Sequence, residues 1–446
     1  MKKNSLFFLL VRLCLASVLA VMIGGFRADT SGPAVASGPF VEADVEIIHT
    51  FEGENIGDVF GFVAENLGDI NGDGVNDLII PAILNSQNGT VAGKVYIFSG
   101  ADRSLLNTVL GNPFELFGYS STTAGDVDND GVPDYVIGGI GFAPAGVPGR
   151  VAVYSGASHI KLLEWTGQVG ERFGASVAGA GDVNGDGHGD ILVGATFASN
   201  TFNRAGRVTM FSGKDGSVLW FHDGQGEEHF LGSGLGMVGL LDGDDAPEVV
   251  AGAYGAGLGH GGEAYVYSGA TGARIYTLAP FAHGTADRFG QFFASGAGDI
   301  NNDGVPDIFI GDYNDKRGGG AGTGRAYIFS GADGSIVHVF NGENKEDGFG
   351  PGRGAGDING DGYGDIIIGA YTNEDAARKG GKAYVYSGKD GTLMRTMTDR
   401  IRNDYFGVDA LAVGDVNGDG RVDFLVTGVN FDGTGLDHSY LIAGNE

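Results

Sequence analysis

Two regimes of polarity meet within residues 68 to 82, GDINGDGVNDLIIPA. Oxygen-bearing side chains first take alternate places, at Asp69, Asn71, Asp73 and then Asp77, with a glycine after the third. An unbroken apolar run, Leu78 to Ile80, follows at once. A calcium loop of the EF-hand kind continues into a helix, whereas a short apolar run bounded by turn residues predicts a buried strand.

The same switch recurs. Its lead position, an aspartate in all units but the fourth, falls at 69, 126, 182, 240, 299, 357 and 415, so the chain repeats every 56 to 59 residues. Such a period means a repeat architecture. About nine residues before each acidic stretch stands a Phe-Gly pair, near 60, 117, 173, 289, 349 and 406, with Leu231-Gly232 in the fourth unit. After the stretch comes an apolar run such as DILVGA, and then an irregular loop. A strand ending in Ser-Gly follows (KVYIFSG, RVTMFSG, KAYVYSG), then a KDG-type turn and a last strand such as SVLWFHDG.

Each unit therefore predicts four short strands, rich in Val, Ile, Phe and Tyr and punctuated by Gly and Asp. The predicted fold is all-β: a seven-bladed β-propeller with four antiparallel strands per blade, spanning 45–446. The seventh unit stops at SYLIAGNE, one strand short. Residues 45–52, within VEIIHTFEGEN, match the fourth strand of unit six, SIVHVFNGEN. They are expected to complete blade seven and close the ring, which leaves no open strand edge at the join.

Phe-Gly, an acidic loop and an apolar strand ending in Gly-Ala together resemble the FG-GAP repeat of the integrin α-subunit propeller. The likeness runs over about residues 45 to 446. It implies a propeller that binds calcium in these loops and serves adhesion or ligand recognition. The sequence departs from that pattern in showing no stalk domains and no C-terminal transmembrane helix after the propeller, so a true receptor subunit is not expected.

The acidic loops read D-x-[ND]-x-D-G-x-x-D. Calcium takes six to eight oxygens, and carboxylates with amides or carbonyls suit it. Positions 1, 3, 5 and 9 offer side chains, and position 7 a backbone carbonyl. The first loop offers Asp69, Asn71, Asp73, Val75 and Asp77; the second Asp126, Asp128, Asp130, Val132 and Asp134; the third Asp182, Asn184, Asp186, His188 and Asp190. The fifth offers Asp299, Asn301, Asp303, Val305 and Asp307; the sixth Asp357, Asn359, Asp361, Tyr363 and Asp365; the seventh Asp415, Asn417, Asp419, Arg421 and Asp423. The fourth is worn: Leu240 stands at position 1, Asp245 where glycine belongs, and Glu248 at position 9. About six Ca2+ ions are expected, because so many clustered carboxylates repel without a cation.

Composition narrows the classes. Gly is abundant at 85 residues without a collagen period, and the 42% apolar fraction is ordinary for a globular chain. The formal net charge of −29 excludes a nucleic-acid binder with a basic face. Residues 1–36 read as a secretory signal peptide: two lysines, a long apolar stretch, then Ala34-Val35-Ala36. An uncleaved leader would instead anchor the chain in a membrane, and Arg12 within the apolar run argues against that. The only cysteine, Cys14, lies in this leader, so the mature chain has no disulfide. Losing the leader takes the charge to −32, and six calcium ions would bring that to −20. The expected location is secreted, periplasmic or on the cell surface.

Antiparallel strands put the acidic loops and the KDG-type turns on one face. The opposite face carries the variable loops, where recognition usually sits. Candidates there are Phe142, Phe202, Arg204, Tyr254, His260, Tyr313, Lys316, Arg317, Tyr371 and Arg378, facing an extracellular protein or glycan. No cysteine nucleophile, G-x-S-x-G elbow or H-E-x-x-H motif is present, so no enzyme is expected. His222, His229, His260 and His283 fall near blade four as a possible grouping. Two alternatives to a binding module stay open: a calcium-dependent hydrolase or lyase, and a structural surface component.

Overall fold

A computed structural model describes residues 38–280, 287–316 and 322–444. The predicted leader, Cys14, His283 and Arg317 lie outside the described residues. Seven four-stranded antiparallel sheets succeed one another along the unit Pro39–Glu446. Among the described residues the helical segments are two single 3-10 turns, Ala143–Ala145 and Leu258–His260. The chain is a seven-bladed β-propeller.

The second strand of every blade is buried at all six positions, from Asp77–Ala82 in blade one to Asp423–Gly428 in blade seven. That explains the unbroken apolar runs: each such strand is covered on both sides by neighbouring blades. The core is accordingly a series of layers between blades. Ile300, Phe309 and Ile328 of blade five, for example, pack with Phe349, Ile366 and Tyr384 of blade six. In four blades the Phe of the Phe-Gly pair enters such a layer edge-on to a third-strand tyrosine, with ring centroids 5.5 Å apart for Phe60–Tyr96 and 5.4 Å for Phe289–Tyr327, and Phe349 and Phe406 do the same with Tyr384 and Tyr440.

The glycine of Phe-Gly has a steric reason. A Cβ on Gly194, in the second strand of blade three, would lie 2.1 Å from the carbonyl oxygen of Gly232, at the Phe-Gly position of blade four. Two backbones touch there, and neither tolerates a side chain.

Ring closure runs as the sequence predicts. Ile47–Glu52 pairs antiparallel with His438–Ile442, in register Phe51 to Ser439 and Glu52 to His438. A second tie went unpredicted. Arg400 donates its N–H to Pro39 O at 2.7 Å, and Val41 donates to Thr398 O at 2.9 Å. The Glu42 carboxylate accepts both Thr396 and Thr398 hydroxyls, and Phe40 packs on Phe406 and Tyr440. The chain thus crosses blade six before it closes blade seven.

The first strands neighbour one another around the axis. Arg353, from the first strand of blade six, donates to Asp409 of blade seven at 2.6 Å and to Glu65 of blade one. Burial raises the Glu65 carboxyl above its ordinary value and the Arg353 charge opposes this.

Candidate metal centres and the variable face

Each acidic loop links the first two strands of its blade, as the hairpin spacing requires. In all six intact loops the position-1 carboxylate accepts the N–H groups of positions 5 and 6. Asp182, for instance, accepts from Asp186 at 3.0 Å and Gly187 at 2.7 Å, and Asp415 accepts from Asp419 and Gly420. The position-7 N–H donates to the position-5 carboxylate, as Val75 does to Asp73 at 2.9 Å. These bonds curl each loop back on its own position-1 carboxylate. The curl needs a left-handed residue at position 6, where φ is 88° at Gly74 and 87° at Gly304. Position 4 is also left-handed, which is why it holds Gly or Asn (Asn129, φ 60°; Asn302, φ 58°).

Position 9 behaves differently from the others. Asp77, Asp134, Asp190, Asp307, Asp365 and Asp423 are wholly buried. One oxygen accepts the N–H of position 2, and the other accepts the glycine N–H of the Ser-Gly turn. In blade three these are Val183 at 2.9 Å and Gly213 at 3.0 Å. The residue that pattern reasoning assigned to the ion also pins the metal loop to the far hairpin of its blade. Burial pushes the carboxyls of Asp134 and Asp190 up to about 6, against these backbone bonds. A cation beside them would reverse that shift.

The donor set fits a hard divalent cation. In blade two, oxygens of Asp126, Asp128 and Asp130 lie within 4.8 Å of one another. Hard oxygen donors at this density suit calcium rather than a softer metal.

The pinning role can be separated from ion binding. In chelator, Asp190→Ala is expected to cost about 2 kcal/mol, because it orphans two buried N–H groups. Asp182→Ala, at a half-buried position of the same loop, should cost less than about 1 kcal/mol. Urea titration of both variants checks this, and equal costs would remove the distinction.

The opposite face sorts the recognition candidates. Phe202 is 47% exposed. Phe142 stacks on Phe114, with centroids 6.1 Å apart. Lys316 is exposed and Arg378 half-buried on their loops. Tyr313 and Tyr371, expected to face a ligand, are instead buried: they pack edge-on, and Tyr313 donates to Gln291 Oε1 at 2.8 Å.

Tyr254 belongs to a larger group. It stacks flat on Phe230 at 4.6 Å, and Phe230 meets Phe197 at 5.6 Å. Arg288 lies over Tyr254, while Arg172 and Arg204 lie over Phe197 at 3.9 and 4.9 Å. All of these side chains keep some exposure. Blades three, four and five thus share a shelf of aromatic rings and guanidinium groups.

The histidines do not form one group. His222 stacks on Tyr267 and bonds to Gly272 O in the third-to-fourth-strand turn of blade four. His229 and His260 lie near each other on the variable face. Burial lowers the His229 pKa, Glu263 opposes that, and His260 adds to it.

A second repeating register, an acid and a base at fixed places in six blades, was missed in the sequence. Two residues before Phe-Gly stands an acid: Asp58, Glu115, Glu171, Asp287, Asp347 or Asp404. At the start of the third strand stands a base: Lys94, Arg150, Arg207, Arg325, Lys382 or His438. Arg150 meets Glu115, and His438 meets Asp404 at 2.8 Å, whereas Lys94 pairs with Glu54, Arg207 with Asp223, and Lys382 with Glu343 and Asp375. The signal was the fixed register of both positions within the repeat. Blade four breaks it with His229 and Glu263.

Comparison with known proteins agrees with this architecture. The FG-GAP repeat family matches residues 173–211, and an FG-GAP-like repeat family matches 357–426. The chain is an FG-GAP repeat protein, similar to the integrin α-subunit propeller. Integrin alpha-5 of Xenopus laevis is 32% identical over 183 residues, covering 37% of this chain and 17% of that protein. Integrin alpha-PS5 of Drosophila melanogaster is 29% identical over 175 residues, covering 35% and 17%. Human integrin alpha-6 is 29% identical over 191 residues, covering 41% and 16%. The match spans under a fifth of each relative's length. Among the described residues no helix of this FG-GAP propeller is long and apolar enough to cross a membrane.

Proposed function

We propose that this FG-GAP propeller is a secreted or cell-surface adhesion module that binds an extracellular protein or glycan through its variable-loop face. Six calcium ions, one in each intact loop, hold the opposite face rigid. The single observation that carries the reading is the shelf of Phe197, Phe230 and Tyr254 with Arg172, Arg204 and Arg288. Partly exposed aromatic rings and guanidinium groups are the side chains most enriched where binding energy concentrates. The integrin α relatives support an adhesion role, and no reaction is assigned to the chain.

A glycan and extracellular-protein array, probed in calcium and again in chelator, tests this. Binding in calcium should fall at least about tenfold in Phe230→Ala, as expected for loss of a central aromatic anchor. Binding that survives Phe230→Ala and Arg204→Glu unchanged would place recognition elsewhere.

A further inference from the structure

The worn loop of blade four lost its position-1 carboxylate, yet it has gained another feature. Leu240 is 49% exposed and supplies no oxygen. Asp245 replaces the left-handed glycine, and its own φ is not positive, so the loop takes a different path from the other six. Even so, Asp242 accepts the Asp244 N–H at 3.1 Å and Asp244 accepts the Ala246 N–H at 2.8 Å. Oxygens of Asp242, Asp244 and Glu248 lie within 4.8 Å of one another.

Glu248 makes this more than an acidic turn. It is wholly buried, at 0% exposure. One of its oxygens accepts the Leu241 N–H, and the other, Oε1, is buried with no hydrogen-bond donor. In the six aspartate blades that second oxygen takes the N–H of the glycine just after the third strand, at 2.8 Å from Gly156 and Gly444 for example. The extra methylene of glutamate carries the carboxylate out of that bond. Among the described residues no Lys or Arg pairs with any of the three acids. A buried carboxyl oxygen without a donor, beside two further carboxylates, is what a positive partner would satisfy.

We propose that blade four binds a divalent cation through Asp242, Asp244 and Glu248, at a site distinct in chemistry from the six intact loops. Three carboxylates fall short of the six to eight oxygens calcium takes. A small octahedral ion that keeps several waters, Mn2+ or Mg2+, suits them better. The inference does not depend on the intact loops being calcium sites, because it rests on other residues and another ion.

The test is equilibrium dialysis of the chelator-stripped full chain against Mn2+ in saturating Ca2+, with both metals counted by elemental analysis. The wild type should retain one Mn2+ per chain. Glu248→Gln keeps an acceptor for Leu241 and should retain none, with the calcium count unchanged. Asp242→Asn, at an exposed position that leaves folding intact, should weaken Mn2+ retention at least about tenfold. Asp182→Asn in blade three should lower calcium alone, so failure of the intact-loop reading shows in a different count. No Mn2+ retained by the wild type, or equal Mn2+ in wild type and both blade-four variants, overturns the proposal.

Discussion

Stripping divalent cations should lower the Tm of this protein by on the order of 15 °C or more, and calcium alone should restore it. Each ion held at about 100 times its Kd adds about 2.7 kcal/mol, because it binds only the folded loop. Six such sites would together contribute roughly 16 kcal/mol, more than the whole stability of many domains. Such ions would act where negative charge is most crowded: three or four acidic or amide side chains share each loop, and the net charge is −29. Differential scanning calorimetry across a calcium titration, with a chelator control, reads the effect. A Tm that ignores both calcium and chelator would remove calcium from every intact loop.

Replacing Arg353 by alanine should cost about 3–5 kcal/mol, the range for breaking a buried pair while its acids stay buried. Glu65 and Asp409, on the adjoining first strands of blades one and seven, would then lie side by side without a cation between them. The pH dependence carries a definite sign. The Glu65 carboxyl is already raised by burial and by Asp409, and Arg353 is the group that lowers it. Without Arg353 it rises further, so the folded variant holds its proton to higher pH than the unfolded chain does. Its stability is therefore greatest below the ordinary glutamate value and falls as pH rises through the raised one. Urea titrations at several pH values follow this. Arg353→Ala combined with Glu65→Gln should recover much of the loss and flatten the pH slope. A double variant no more stable than the single one would show that Arg353 acts through packing alone.

Much of this was written along the chain. The 56 to 59 residue period, the Phe-Gly pairs and the apolar runs determine seven four-stranded units. The missing last strand and the likeness of 45–52 to unit six predict how the ring closes. The six loops are legible because each is a contiguous nine-residue stretch, and hairpin geometry brings such neighbours together whatever surrounds them.

Other features depend on the finished ring. The central triad joins Glu65, Arg353 and Asp409, from blades one, six and seven, and no repeat position announces it. The tie of residues 39–42 to blade six likewise has no counterpart in the repeat. Tyr313 and Tyr371 read as loop residues open to a ligand, yet they are buried against each other. The position-9 aspartates read as ion ligands, but their burial and double backbone role come from a turn more than twenty residues away.

The sequence by itself determined the blade: its strands, its loop chemistry and the face each loop occupies, because these arise from contacts between near neighbours that every repeat restates. The tertiary structure alone decided which charges meet at the axis, which aromatic rings stay open to solvent, and that the glutamate of the worn fourth loop keeps a buried oxygen without a donor. Those outcomes depend on side chains far apart in sequence, brought together only when seven unequal copies close into one ring.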